Sequence, residues 1–226
     1  MKDNSTAHMA LEYDSKVNQT IPRYEFFHTD TIDMVKTAVP NPGSWLDTGC
    51  GTGNLISKAY DLFPKTIFIL ADPSESMLGN ARQKLGFCSE RLKILEPAGS
   101  QDLSLDSGSL DVITAIQSHH YFDAETRKKA TLNCFRMLGN GGIYITFENI
   151  RPFSEDGTKV GLKRWANYQV ASGKSAEEAE KHVERFGTEF FPITISEHLD
   201  LLRNAGFKTV EILYASYMQA GFYAIK

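Results

Sequence analysis

The stretch Trp45-Leu-Asp-Thr-Gly-Cys-Gly-Thr-Gly-Asn54 constrains this chain more than any other. A short apolar entry reaches Asp47, and glycines follow at Gly49, Gly51 and Gly53. Behind them, Asn54-Leu-Ile-Ser-Lys-Ala-Tyr-Asp-Leu-Phe63 spaces its apolar residues at helical intervals. The pattern is a strand, a tight glycine turn and the start of a helix. Glycine permits positive φ and lets a ligand reach the backbone with no Cβ in the way. The helix start adds unpaired N–H groups and the positive end of its dipole.

Two cofactor classes use such a turn. Dinucleotide sites want G-x-G-x-x-G, which seats a pyrophosphate on the helix N-terminus. Here the spacing is G-x-G-x-G, Asn54 stands where the third glycine would fall, and Asp47 lies just ahead of Gly49. A carboxylate there opposes a pyrophosphate but suits a cationic amino group. The pattern resembles motif I of the class I S-adenosylmethionine (SAM) methyltransferases, whose acidic residue sits beside the methionyl end of the ligand. A glycine turn alone is weak evidence; with Asp47 and the features downstream, it favours SAM over NAD.

At 226 residues the chain suits one domain with an elaboration. Its net charge of −4 gives no basic footprint, which speaks against a nucleic-acid partner. No apolar run approaches the ~18 residues that span a bilayer. Cys50, Cys88 and Cys134 lack metal-ligand spacing and cannot all pair, so a reduced, cytoplasmic setting and no metal are expected. Residues 1–9 are polar and unpatterned, a terminus expected to be flexible. Residues 10–40 read as a helical cover, punctuated by Pro22 and closed by Pro40-Asn-Pro-Gly43.

Beyond the turn, strands and helices alternate. Thr66-Ile-Phe-Ile-Leu-Ala-Asp72 is an apolar strand fit for burial on both faces. It ends at Asp72-Pro73, and Ser74 is the expected N-cap of the next helix. A carboxylate at the end of a second strand accepts ribose hydroxyls in NAD and SAM sites alike, so Asp72 supports an adenosine ligand without choosing between them. Further strands are expected over residues 91–96, 110–116 and 142–148, with a helix over 124–138 stopped by Gly139-Asn-Gly-Gly142. A polar insertion, 151–187, follows, with helix-like pieces near Leu162 and Ala176. Thr194-Ile-Ser-Glu197 is a capping box, and a terminal strand pair closes the chain. Such alternation predicts a parallel α/β sheet with right-handed crossovers.

With these residues in hand, the chain from about Tyr13 to its end resembles a class I SAM methyltransferase. The marks are Leu46-Asp-Thr-Gly-Cys-Gly-Thr-Gly53, Asp72-Pro-Ser-Glu-Ser-Met77, Gly99-Ser-Gln-Asp102 and Leu138-Gly-Asn-Gly-Gly142. The resemblance implies a Rossmann-like, mostly parallel seven-stranded sheet, its last strand antiparallel, with SAM across the carboxyl ends of the first four. It places Asp47, Gly49 and Gly51 at the methionine end and Asp72 with Pro73 at the ribose. Gly99 and Ser100 fall beside the adenine, where Gly99 replaces the family's frequent Asp and Gln101 is a candidate substitute. Ala115 and Gln117 fall near the sulfonium. A narrower likeness, to the carboxy-SAM synthase branch, rests on Ile21-Pro-Arg-Tyr24 and Gly173-Lys-Ser-Ala-Glu-Glu178, and it puts Tyr24 against the cofactor. That branch's carboxylate-reading arginine falls near Val183, with Arg185 two residues on.

The expected function is methyl transfer from SAM to a small-molecule acceptor, with S-adenosylhomocysteine (SAH) as product. The alternatives are carboxy-SAM synthase-like chemistry on SAM itself and non-catalytic SAM binding. His119 and His120, at the strand-four exit, are the candidate bases if the acceptor needs deprotonation. The opposing reading is that one packs beneath the loop and the other shapes the pocket. Tyr121, Trp165, Tyr168 and Arg185 are candidate acceptor contacts, against the plainer reading of the aromatics as packing. The insertion is expected to be a mobile lid, since polar segments open at little cost. A homodimer stays open.

Overall fold

The computed structural model describes Thr6, Met9, residues 12–86 and residues 90–226. The expected flexible terminus, Thr6 and Met9 apart, and Cys88 lie outside the described residues. Seven strands form one sheet: β1 Ser44–Thr48, β2 Ile67–Ala71, β3 Leu92–Ile94, β4 Leu110–Ile116, β5 Leu138–Asn149, β6 Thr209–Ser216 and β7 Gln219–Ile225. Their order is β3-β2-β1-β4-β5-β7-β6. Strands β1 to β5 run parallel and β7 is antiparallel to both its neighbours, as the resemblance implied.

Alternation along the central strands loads both faces. Trp45 and Leu46 are fully buried on opposite sides, as are Val112 and Ile113. On one face, α1 (Tyr13–Thr20), α2 (Tyr24–Ala38), α3 (Asn54–Ala59) and α4 (Glu75–Leu85) contribute Val17, Phe27, Ile56 and Leu78 to a core with Trp45 and Phe147. Phe27 stacks on Phe147 with ring centroids 4.7 Å apart. The other face packs Cys134 and Met137 of α5 (Ala124–Met137) and Leu202 of α8 (Ile195–Ala205) against Ile113 and Phe222.

The local signals give their expected ends. Ser74 Oγ accepts from Met77 N at 3.1 Å, Thr194 and Glu197 form a capping box, and Gly206 closes α8 at φ +109°. The insertion folds as α6 (Glu155–Ala171) and α7 (Ala176–Val183), longer and more regular than its polar composition indicated. A second capping box, Ser175 with Glu178, starts α7. Trp165 of α6 is fully buried in the first core and donates its indole N–H to Thr20 O at 2.7 Å. The insertion is therefore bolted onto the helical cover by a residue buried in the main core.

Candidate cofactor site

The site begins where β1 ends. Gly49, Gly51 and Gly53 all have positive φ, of 69°, 53° and 77°. Position 49 has a second reason to be glycine: an added Cβ would lie 2.4 Å from Ser118 Cβ. At Gly51 a Cβ would meet nothing within 4 Å, so it would project into open space beside the turn. The amides of Gly49 and Cys50 donate to Ala71 O at 2.7 and 3.1 Å, which ties the turn to the end of β2.

Asp72 completes that tie. Its Oδ2 accepts from Gly51 N and its Oδ1 from Ser74 N, both at 2.9 Å. A carboxylate offers about four acceptor positions, and the two backbone bonds orient it toward the space above the turn. Asp47 is buried behind the same turn, its Oδ1 accepting from Thr114 Oγ1 at 2.7 Å. Burial pushes the Asp47 carboxyl up to about 7, the Thr114 bond draws it down, and Asp72 pushes it up again. A buried carboxylate whose pKa is raised in this way gains from taking a cationic partner.

These groups frame a cavity of about 190 Å³ across the carboxyl ends of β1, β2 and β4. Gly49, Gly51, Asp72 and Pro73 form one wall; Gly99, Ser100 and Gln117 form another. Tyr24 and Asp47 line an adjoining small chamber that shares Tyr13, Gly49 and Gly51 with it. Ala115 is fully buried behind this wall, and Ile116 at the end of β4 and Gln117 just beyond it reach the cavity. Gln117 adopts φ +56°, a conformation costing about 1–3 kcal/mol, and is held by its N–H to Phe147 O at 2.6 Å. Next to it, the Ser118 hydroxyl is buried with no partner among the described residues. Gln101 folds back over Gly99, where an added Cβ would lie 2.6 Å from its amide, and its Oε1 is likewise buried and unpartnered.

The two histidines are placed otherwise than the strand-four exit suggested. His119 Nε2 shares a hydrogen bond with Ser100 Oγ at 2.8 Å and its Nδ1 one with Tyr144 OH at 3.2 Å. Burial, partly offset by Glu148, lowers the His119 pKa to about 4. His120 Nδ1 contacts Glu148 Oε2 at 2.8 Å. Burial works against ionised Glu148, but bonds from His120 and Thr146 outweigh it and hold its carboxyl low. Both rings are buried in this network, and neither lines the cavity.

Of the aromatic candidates, Tyr121 lines the cavity. Trp165 belongs to the core, and Tyr168 points away, its hydroxyl donating to Asn18 O at 2.8 Å. Arg185 lines a separate charged cleft, paired with Glu189 at 2.8 Å. Tyr13 is the residue that sequence reasoning missed. It lines the main cavity and the Tyr24 chamber, and its hydroxyl donates to Tyr24 OH at 3.4 Å. Its neighbour Asp14 fixes it there by accepting from Thr52 and Asn54 of the glycine turn and from Lys84. The only local signal was the acidic Asp14 beside Tyr13.

A family profile described as a methyltransferase domain matches residues 46–144, the segment from the glycine turn to β5. That segment is a methyltransferase domain, and the chain as a whole has the class I SAM-dependent methyltransferase fold. Among curated proteins, a carboxy-S-adenosyl-L-methionine synthase from Nautilia profundicola is 23% identical over 218 residues, 96% of this chain and 92% of that protein. Among solved structures, a SAM-dependent methyltransferase from Thermotoga maritima superposes with a TM-score of 0.62 at 18% identity, covering 98% of both chains. The CurJ carbon methyltransferase gives 0.70 at 16% identity; this chain is matched over 95% of its length and spans 58% of that one. The family's cofactor fits the residues of this methyltransferase: a glycine cradle open at Gly51, an oriented Asp72 and an unpartnered Ser118 hydroxyl face one cavity. Among the described residues no cluster of three metal-ligating side chains exists, and no helix is long and apolar enough to cross a membrane.

Proposed function

We propose that this methyltransferase moves the methyl group of SAM onto a small-molecule acceptor that approaches past Tyr13 and Tyr121. The observation that carries the reading is the single cavity in which Asp72, fixed by Gly51 and Ser74, meets the open face of the glycine turn. When bound, SAM supplies a methyl group already activated on a positively charged sulfur. In this reading Asp47 and Tyr24 hold the methionyl ammonium end, and Gly49 and Gly51 present backbone to it. Asp72 accepts the ribose hydroxyls, while Pro73, Gly99 and Ser100 flank the adenine. Gln117 and the backbone around Ala115 shape the wall beside the sulfur.

Among the described residues no imidazole lines the cavity, and burial pushes the Tyr121 hydroxyl pKa up, so at neutral pH it donates a hydrogen bond and removes no proton. The chain's contribution is then to position the acceptor and exclude water. Such a site favours an acceptor that is nucleophilic without help from a base. The buried free thiols of Cys50 and Cys134 support a reducing, cytoplasmic setting.

The named synthases among the relatives are consistent with a second reading, in which the protein moves a carboxyl group from a carboxylic-acid co-substrate onto the methyl carbon of SAM to give carboxy-SAM. Against it, the position nearest that branch's arginine is Val183, which is buried in the core. Mass spectrometry of the nucleoside after incubation with SAM, pooled acceptors and pooled carboxylic-acid co-substrates able to give up a carboxyl group separates the readings. SAH with a methylated acceptor is the expected result. A carboxylated SAM would establish the synthase reading, and tight SAH binding with neither product a non-catalytic binder.

A further inference from the structure

A second cleft, of about 490 Å³, opens between α1 and the turn joining α6 to α7. Its walls carry Lys16, Lys174, Lys181 and Arg185, interleaved with acidic side chains. Most of these cations are matched: Lys16 pairs with Glu12, Lys181 with Glu177 and Arg185 with Glu189. Lys174 is the exception among the described residues. Its half-buried ammonium donates to the neutral Gln169 Oε1 at 2.8 Å and has no carboxylate at ion-pair distance. Glu178 is near, but its carboxylate accepts from Ser175 N at 2.9 Å to cap α7. An ammonium has three donors, and one is used. Burial, with Arg185 and Lys16 adding to it against Glu178, lowers the Lys174 pKa to about 8.

The cleft is connected to the methyl site through side chains. Gln169 is fully buried and its Nε2 meets His182 Nδ1 at 3.1 Å. His182 walls both the cleft and a narrow chamber of about 30 Å³. That chamber's other walls include Tyr13, Gln117 and Tyr121, which also line the cofactor cavity. Asn149 lines it too; its Oδ1 is taken by Gln219 Nε2 at 3.1 Å. The sequence of walls runs from a cation with no carboxylate partner among the described residues, through a buried amide and an imidazole, to the strand-four exit.

We propose that this cleft is the head-group site of the acceptor, and that the acceptor carries an anionic group, a carboxylate or a phosphate, which Lys174 binds with support from Arg185 and Lys16. The inference rests on the methyltransferase reading for what lies beyond His182. Room for about one water in the chamber requires the acceptor's reacting arm to be slender. A charge-assisted bond to a half-buried ammonium is strong enough to set which small molecules bind.

The test uses the full chain saturated with SAH and titrates glutarate, inorganic phosphate and the neutral isostere glutaramide by calorimetry. One of the two anions is expected to bind, which identifies the head group, and to weaken at least ten-fold in Lys174→Met and Lys174→Gln. Glutaramide is expected to bind no better than the anion binds those variants. SAH affinity and melting temperature, measured on each variant, are expected to stay at the wild-type level, since Lys174 lies outside the cofactor cavity. Absence of anion binding, or anion binding undiminished in both folded variants, overturns the inference and leaves the cofactor reading standing. Failure of the wild type to bind SAH overturns the cofactor reading itself, whatever the anions do.

Discussion

The cofactor cavity and the charged cleft are neighbours made of different materials. The cavity is walled largely by backbone: three positive-φ glycines, the Gln117 turn and two buried carboxylates pinned by main-chain or threonine donors. The cleft is walled by long charged side chains on α1, α7 and the loops beside them. Backbone walls are set by short stretches of sequence and present the same groups to any SAM-like ligand. Side-chain walls depend on which helices meet and vary with one substitution. On the proposed reading, the first region holds a common donor and the second chooses among acceptors.

The largest expected effect breaks the second region while sparing the first. Trp165→Ala removes a fully buried indole and strands the Thr20 carbonyl that it caps. Truncations of this kind cost about 3–5 kcal/mol. Denaturant unfolding is expected to show that loss, while SAH affinity in the folded variant changes little. A cost below about 1 kcal/mol would restore the loose, mobile lid that the insertion's polarity suggests. Exposed Phe153 and Val160 at its start are compatible with fraying there; Trp165 and Gln169 are not.

The same contrast explains what could be read in advance. The strand, glycine turn and helix from Trp45 onward, the Asp72 exit and the caps at Ser74 and Thr194 are local patterns, and each reappears in the fold. The histidines stay open between base and packing in the sequence because nothing nearby reveals Glu148 of β5, which binds His120 and the backbone of both. The sequence leaves Trp165 between packing and an acceptor wall because its partner, Thr20, lies on a helix at the other end of the chain. Tyr13 passed unnoticed because its helix carries little apolar periodicity and is held by the distant Thr52, Asn54 and Lys84. Long-range pairings of side chains leave no periodic trace.

Asp72→Ala addresses the first region. It removes a bidentate acceptor and the anchor of the Gly51 and Ser74 amides. Losing hydrogen bonds to a charged group costs about 1–3 kcal/mol, or about 5- to 150-fold in SAH affinity. Calorimetry is the measure, and anion binding in the cleft is expected to be unchanged. Equal losses at both sites would mean that the two regions are one cooperative unit. Unchanged SAH affinity would move the ribose elsewhere.

The smallest effect sharpens the comparison most, because the two regions are expected to answer pH with opposite signs. Burial raises the Asp47 pKa to about 7, from an ordinary carboxylate value that the unfolded chain retains. Between those values the folded protein holds a proton that the unfolded chain has released, so the Asp47 contribution to stability falls as pH rises through that window. A ligand ammonium binds the ionised carboxylate, so SAH affinity rises from about pH 6 to about pH 8, by up to about ten-fold, with proton release at the lower end. Calorimetry in buffers of different ionisation enthalpy counts that proton, and Asp47→Asn should flatten the profile. In the cleft the group that titrates is Lys174, near 8, facing Lys16 and Glu12 from α1, Glu178, Lys181 and His182 from α7, and Arg185 and Glu189 beyond it. Its charge is lost as pH rises past about 8, so anion affinity falls where cofactor affinity has levelled off. Parallel slopes at the two sites would show that one titrating group governs both and would dissolve the distinction between a donor site and an acceptor site.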